Sequence, residues 1–298
     1  MGAAAPRGRV GVVELVMLLH SAISAGTYLA AKRALGELSP FEVALVRFAL
    51  AGAVYAALLL ARPPRVSRRD LLGLAALGFV AIPLNQGLFL GGLSMTTPGH
   101  AALLYATTPI FVFLLGAWRG EERATPRRLA GIAVAFAGVA VVLGSRGQLS
   151  GAADARAGLA GDLLVLLAVV AWAVYVVFGK GYVERYGVVT TTGLSIVTGT
   201  LLYLPLGIAL SRPAAFRSLS PGGWGSVAYL VALTSVAAYL LYYWALARAE
   251  ASRVAVWSNT QPVLTALLAW ALHGDPLTGA FVAGGALVVA GVALAQRA

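Results

Sequence analysis

The sequence predicts an all-α membrane protein whose ten transmembrane helices form two inverted five-helix repeats. Three observations carry this. Of 298 residues, 60% are hydrophobic and 11% charged, with a mean hydropathy of +0.85. An ordinary soluble domain is about 45–50% apolar and about 25% charged, so one soluble core cannot hold this much apolar surface. The apolar residues also fall in runs near the ~20-residue length that crosses a bilayer. Finally, the chain matches itself: residues 93–143 align without a gap on 246–296.

Apolar length places spans at 10–31, 41–61, 71–93, 98–118, 127–144, 159–180, 189–210, 224–246, 251–272 and 277–295. Met1 to Arg9 is short and basic. The apolar run behind it exceeds the ~7–15 residues of a signal-peptide core, so it reads as an uncleaved first span. Connections are short and rich in Arg, Pro and Gly, as at 62–65 and 220–223. The longest, about 145–158, divides the chain into a first five-span repeat (1–147), a linker (148–158) and a second repeat (159–298). With the N-terminus inside, inside segments hold 15 Lys and Arg and outside segments 6. The positive-inside rule then puts both termini in the cytoplasm of a multi-pass protein of the cell (inner) membrane.

The repeat is carried by more than shared apolar bias. Thr107-x-Pro109 matches Thr260-x-Pro262, Glu122 and Thr125 match Asp275 and Thr278, and Gly131 and Gly138 match Gly284 and Gly291. A shorter alignment sets Glu14 on Asp162 and pairs the only two lysines, Lys32 and Lys180. Five spans are an odd number, so the second half starts on the other side of the membrane. That inverted plan is common among secondary transporters, which bind near mid-membrane between the halves.

Other classes lack their chemistry. The net charge of +11 sits mostly between apolar runs, as topology signals, so no nucleic-acid partner is expected. With no cysteine and with His20, His100 and His273 far apart, no metal or cofactor is expected. No phosphate-cradling loop, nucleophile triad or catalytic carboxylate pair is present, which argues against an enzyme and against ATP-driven pumping.

The chain resembles the drug/metabolite transporter superfamily, in its EamA-type ten-span branch. The resemblance rests on Ala30-Ala-Lys32 closing the first span, Pro40 with Arg47-Phe48 in the second, Ala101-Ala-Leu-Leu104 to Pro109 in the fourth, and Glu122-Arg-Ala-Thr125 leading to Gly131 and Gly138. Pro262, Asp275-Pro-Leu-Thr278, Gly284 and Gly291 repeat the pattern. Where the family often has Trp in the first span, this chain has Ser24; the repeat-equivalent residue is Trp172. The resemblance implies a carrier of small metabolites, often outward, and leaves the solute open among amino acids, sugars, nucleotide precursors and drugs.

Polar residues inside spans are the site candidates, because each is costly in a bilayer. His20, Ser24, Thr27 and Tyr28 share a face of the first span near mid-membrane. His20 either lines a path, where it could exchange a proton near neutral pH, or bonds a nearby backbone carbonyl. Asn85, Gln86 and Phe89 follow Pro83 in the third span; the repeat equivalents of Gln86 and Phe89 are Tyr239 and Tyr242. Opposed across the pseudo-symmetry, they form a mixed amide and aromatic pocket for a small solute. Trp172 and Tyr175 in the sixth span correspond to Ser24 and Thr27.

Thr107-Thr108-Pro109 and Asn259-Thr260-Gln261-Pro262 interrupt the fourth and ninth spans. Proline removes a backbone hydrogen bond, and paired interruptions point to a binding site and its hinges. Tyr105, Thr108, Trp257, Asn259 and Gln261 are placed at the site on this ground, with Pro109 and Pro262 as hinges. Arg47 snorkels, pairs with Glu42, or serves as a gate. The expected function is secondary transport of an amino-acid-like metabolite or drug, outward, by alternating access. Protons could couple through His20 or His100. The alternative is a membrane-embedded lipid-acting enzyme or sensor.

Overall fold

The computed structural model describes residues 11–120, 125–144, 152–273 and 278–296. Among them there is no strand, and ten helical rods make one bundle. The rods are α1 (Val12–Leu35), α2 (Pro40–Ala61), α3 (Arg68–Met95), α4 (Pro98–Trp118) and α5 (Pro126–Gly144). The second half supplies α6 (Ala152–Tyr186), α7 (Val188–Leu210), α8 (Pro221–Leu246), α9 (251–273) and α10 (Gly279–Gln296). A one-turn helix, Pro213–Arg217, precedes α8.

Ten spans are expected from the sequence; among the described residues seven of these rods, α1 to α4 and α6 to α8, are long and apolar enough to cross a membrane, and Gln261–Leu272 and Gly279–Ala295 are shorter apolar helices. A 3₁₀ stretch at Val256–Thr260 divides α9, leaving Gln261–His273 as its longest piece. Arg127 and Arg128 open the 19-residue α5, and α10 has 18 residues. The segment read as a linker also differs: α6 already begins at Ala152. Glu122, Asp275 and the basic N-terminal residues lie outside the described residues.

Local sequence sets the helix starts. Ser39 and Glu42 form a reciprocal capping box ahead of Pro40, satisfying two orphan N–H groups. Ser67, Thr97 and Ser220 cap α3, α4 and α8. Thr125 and Thr278, equivalent in the repeat, accept from Arg128 N and Phe281 N at the starts of α5 and α10.

Packing exchanges the halves. Helix α1 lies against α8 and α9, while α6 lies against α3 and α4; α2 packs on α7 and α5 on α10. The lysines obey the same symmetry: Lys32 Nζ donates to the Thr96 carbonyl at 2.7 Å, and Lys180 Nζ to the Ala249 carbonyl at 2.9 Å. Both acceptors stand at the 153-residue offset of the longer sequence match (93 to 246). Glycines bring α5 and α10 together, since a methyl group on Gly138 would sit 2.6 Å from the Gly284 carbonyl oxygen.

The solvation pattern is inside out. Leu60, Leu72 and Trp118 are 78%, 73% and 77% exposed, whereas His20, Arg47, Asn85, Gln86 and Asp162 are buried. Apolar groups outside and paired polar groups within suit a lipid surround.

Candidate functional site

The buried polar groups converge on a cavity midway along the helices. Helix α1 contributes His20, Ser24, Thr27 and Tyr28; α2 contributes Arg47; α3 contributes Asn85, Gln86 and Phe89. Tyr105 of α4, Trp172 of α6, Gln261 of α9, and Thr234, Ala238, Tyr239 and Tyr242 of α8 complete the lining.

Backbone irregularity positions much of it. In α3 a π-helical stretch, Val80–Leu84, contains Pro83 and ends beside Asn85. In α8 a longer one, Leu230–Ala238, occupies the equivalent place without a proline. Widened turns shift the helix register and favour functional sites. Carbonyls of the α8 stretch take side-chain donors: Tyr55 Oη donates to Ser235 and Val236 O at 3.2 and 3.1 Å. His20 Nδ1 meets Ala238 O at 3.1 Å. A carbonyl only accepts, so Nδ1 carries a proton; Nε2 lies 3.2 Å from Ser24 Oγ and accepts from it when the ring is neutral. His20 therefore combines both readings: it bonds a carbonyl and faces the cavity.

A directed chain of hydrogen bonds crosses the first-half wall. Arg47 Nε donates to Ser235 Oγ at 2.7 Å and Nη1 to Gln86 Oε1 at 2.8 Å. Gln86 Nε2 donates to Asn85 Oδ1 at 2.5 Å, and Asn85 Nδ2 donates to Ala168 O at 2.7 Å and Tyr105 Oη at 3.2 Å. Arg47 is 1% exposed, so it does not snorkel. It does not pair with Glu42 either, whose carboxylate accepts from the Ser39 and Arg212 backbone N–H groups, each at 2.8 Å.

Aromatic rings fill the rest. Tyr28, Phe89 and Tyr105 meet edge to face, with centroids 5.6–5.9 Å apart. On the other side Trp172 lies 5.4 Å from both Tyr239 and Tyr242, and His20 is 5.1 Å from Tyr242. Tyr28 Oη donates to Gln261 Oε1 at 2.9 Å. A neighbouring hydroxyl pair, Thr27 and Thr234, joins α1 to α8 at 2.8 Å.

Four expected site residues stand outside the lining. Tyr175 packs behind Trp172, 5.5 Å between centroids. Thr108 Oγ1 turns back onto the Tyr105 carbonyl at 2.5 Å, repairing the break before Pro109, as Thr260 does on the Trp257 carbonyl at 2.7 Å. Trp257 and Asn259 belong to the 3₁₀ stretch of α9 and do not line the cavity. Pro109 and Pro262 each stand just behind the interruption of their helix. Sequence reasoning missed Thr234 altogether; a lone Thr in an apolar span gives no signal until the π-helical register is known.

The EamA-like transporter family description matches residues 12–144 and 159–296, one repeat each. The chain belongs to the EamA-like transporter family. An uncharacterized transporter of Archaeoglobus fulgidus is 34% identical over 290 residues, covering 94% of this chain and 96% of its own. The uncharacterized transporter YyaM of Bacillus subtilis is 29% identical, covering 95% and 93%. The uncharacterized inner membrane transporter YedA of Escherichia coli is 28% identical, covering 85% and 80%. A solved crystal structure with 24% identity superposes with a TM-score of 0.70 over 95% of this chain and 96% of that one, a likeness of fold. This EamA-family chain is thus a multi-pass membrane transporter of the drug/metabolite class.

Proposed function

We propose that this protein is a secondary carrier that moves a small organic solute, an amino-acid-like metabolite or drug, outward by alternating access. The observation that carries the reading is the cavity itself. It lies midway along the bundle, draws on both halves and joins a polar wall to an aromatic one. In this reading all ten rods span the membrane as two inverted repeats, with both termini cytoplasmic. Residues 1–147 and 159–298 rock against each other about the solute, bending at the breaks before Pro109 and Pro262. Contacts at opposite ends of α3 and α6 would then open in turn. Asp70 pairs with Arg185 at 2.9 Å and accepts from Tyr186 at one end. Asp162 pairs with His100 at 3.1 Å and accepts from Thr96 at the other.

The test is flux in sealed vesicles carrying the purified protein, with labelled amino acids, sugars and cationic drugs, with and without a pH gradient. Saturable flux of one class, lost in Trp172→Ala, supports the carrier; dependence on the pH gradient would assign proton coupling to His20 or His100. Folded protein that moves none of these solutes nor any organic anion counts against it. Single cysteines at the helix ends report sidedness without background, because the chain has no cysteine.

A further inference from the structure

We infer that the transported solute is a net organic anion whose carboxylate docks on Arg47, in preference to a zwitterion, a neutral molecule or a cation. This rests on the carrier reading and narrows its substrate class. A guanidinium has five N–H donors and is never neutral in a protein. Two of Arg47's reach protein acceptors, Ser235 Oγ and Gln86 Oε1. Five less two leaves three donors with no acceptor among the described residues, on a side chain that lines the cavity.

The charge is also unbalanced. No described carboxylate lines the cavity. The buried acids are committed elsewhere: Glu42 caps the α2 start and the Arg212 N–H, and Asp162 holds Thr96 and His100. A buried charge without a partner is costly, so burial of Arg47 calls for a mobile counter-ion. The guanidinium lies over the face of the Phe48 ring, 4.8 Å from its centroid, a cation–π contact that brings no negative charge.

The direction of the hydrogen-bond chain supplies a further donor. Each link from Arg47 through Gln86 and Asn85 donates toward Tyr105, whose oxygen is the acceptor at the end. The Tyr105 O–H is therefore left to donate, and Tyr105 lines the cavity. A carboxylate with two acceptor oxygens fits a site of guanidinium and phenol donors. An aromatic or branched apolar body fits the rings of Phe89, Trp172 and Tyr239. An α-ammonium group has no carboxylate to meet here.

The probes are 3-phenylpropionate, L-phenylalanine, 3-phenylpropanamide and 3-phenylpropylamine, which keep one ring and change the charge. Flux into vesicles and thermal stabilisation of the purified protein are both read. We expect the anion to be favoured at least about tenfold over each of the others, the step that ~1.4 kcal/mol of added interaction gives. Arg47→Lys keeps part of that preference and Arg47→Gln removes it. Gln86→Glu sets a carboxylate beside the guanidinium, so it abolishes the anion preference and lifts the zwitterion. Equal or better handling of the amide, amine or zwitterion by the wild type overturns the anion site while leaving the carrier intact. Stabilisation by no member of a wider panel of aromatic and branched carboxylates overturns it too. Flux of no solute in any charge form overturns the carrier reading instead. The wild-type charge series decides the matter even where an Arg47 variant fails to fold.

Discussion

The wall given to the cavity by the first half is a hydrogen-bonded chain from Arg47 to Tyr105. The wall opposite, from the second half, is built of rings: Trp172, Tyr239 and Tyr242. The helices are pseudo-equivalent, but the residues at matched positions are not. Ser24 stands where the other half has Trp172, Gln86 where it has Tyr239, and Phe89 where it has Tyr242. The cation of α2 has no counterpart, because α7 carries no charged residue. Symmetry survives where the partner is backbone, at the lysine caps, the Thr125 and Thr278 starts and the α5–α10 glycines. It is lost at the cavity surface. A duplicated scaffold thus holds a site with rings on both sides and the charged hydrogen-bond chain on one.

The comparison can be broken most severely at Gly138. Valine there would drive side-chain carbon into the Gly284 carbonyl and the Val288 N–H. A cost of about 2–3 kcal/mol follows from such overpacking, read as a fall in thermal stability. Gly91, whose added methyl meets nothing within 4 Å, is the control, with Gly91→Ala neutral or stabilising. The lysine caps should differ in spite of their symmetry. Lys32 donates to three carbonyls, of Leu93, Ser94 and Thr96, at 2.9, 3.2 and 2.7 Å. For Lys180 the backbone acceptor among the described residues is Ala249 alone. Lys32→Met is expected to cost about 2 kcal/mol and Lys180→Met about 1 kcal/mol, on the scale of charged hydrogen bonds; urea titration in detergent compares them.

Trp172→Ser would give the second half the residue of the first. It removes the ring that meets Tyr239 and Tyr242 edge-on. Solutes with an aromatic body should bind about tenfold more weakly, the loss of up to ~1.5 kcal/mol per ring pair, while those lacking a ring change less. The smallest effect lies at Glu37, in the turn after α1. It accepts from Ser220 Oγ and N, each at 2.7 Å, and these bonds, with Arg33 nearby, hold its carboxyl below the usual range. A depressed folded value means stability present above the ordinary carboxylate range and lost as pH falls through the folded value. Melting curves of the wild type and Glu37→Gln should therefore converge on acidification.

Much of this was legible in the sequence. Helical spacing brought His20, Ser24 and Thr27 onto one face, and the repeat offset set Gln86 and Phe89 opposite Tyr239 and Tyr242; all seven line the cavity. Pro83, Pro109 and Pro262 announced irregular backbone because proline lacks a donor. What stayed hidden depends on contacts across the bundle. The π-helical stretch of α8 has no proline, and its carbonyls are taken by Tyr55 and His20 from distant helices. Arg47 could not be aimed from sequence, since Ser235 is 188 residues away. Thr108 and Tyr175 were misplaced because spacing gives a face of a helix but not which neighbour covers it.

The unbalanced charge of Arg47 also has an electrical consequence. An empty site carries one positive charge, whereas a site filled by a monoanion carries none. In a carrier that alternates as proposed, the membrane voltage would act on the return of the empty carrier and spare the loaded step, at about 2.3 kcal/mol per charge per 100 mV for a full crossing of the field. An interior-negative potential would draw the empty, positive site back toward the cytoplasm. On this arrangement the resting voltage alone would keep resetting the carrier to collect anions inside, so outward flux would need no second ion.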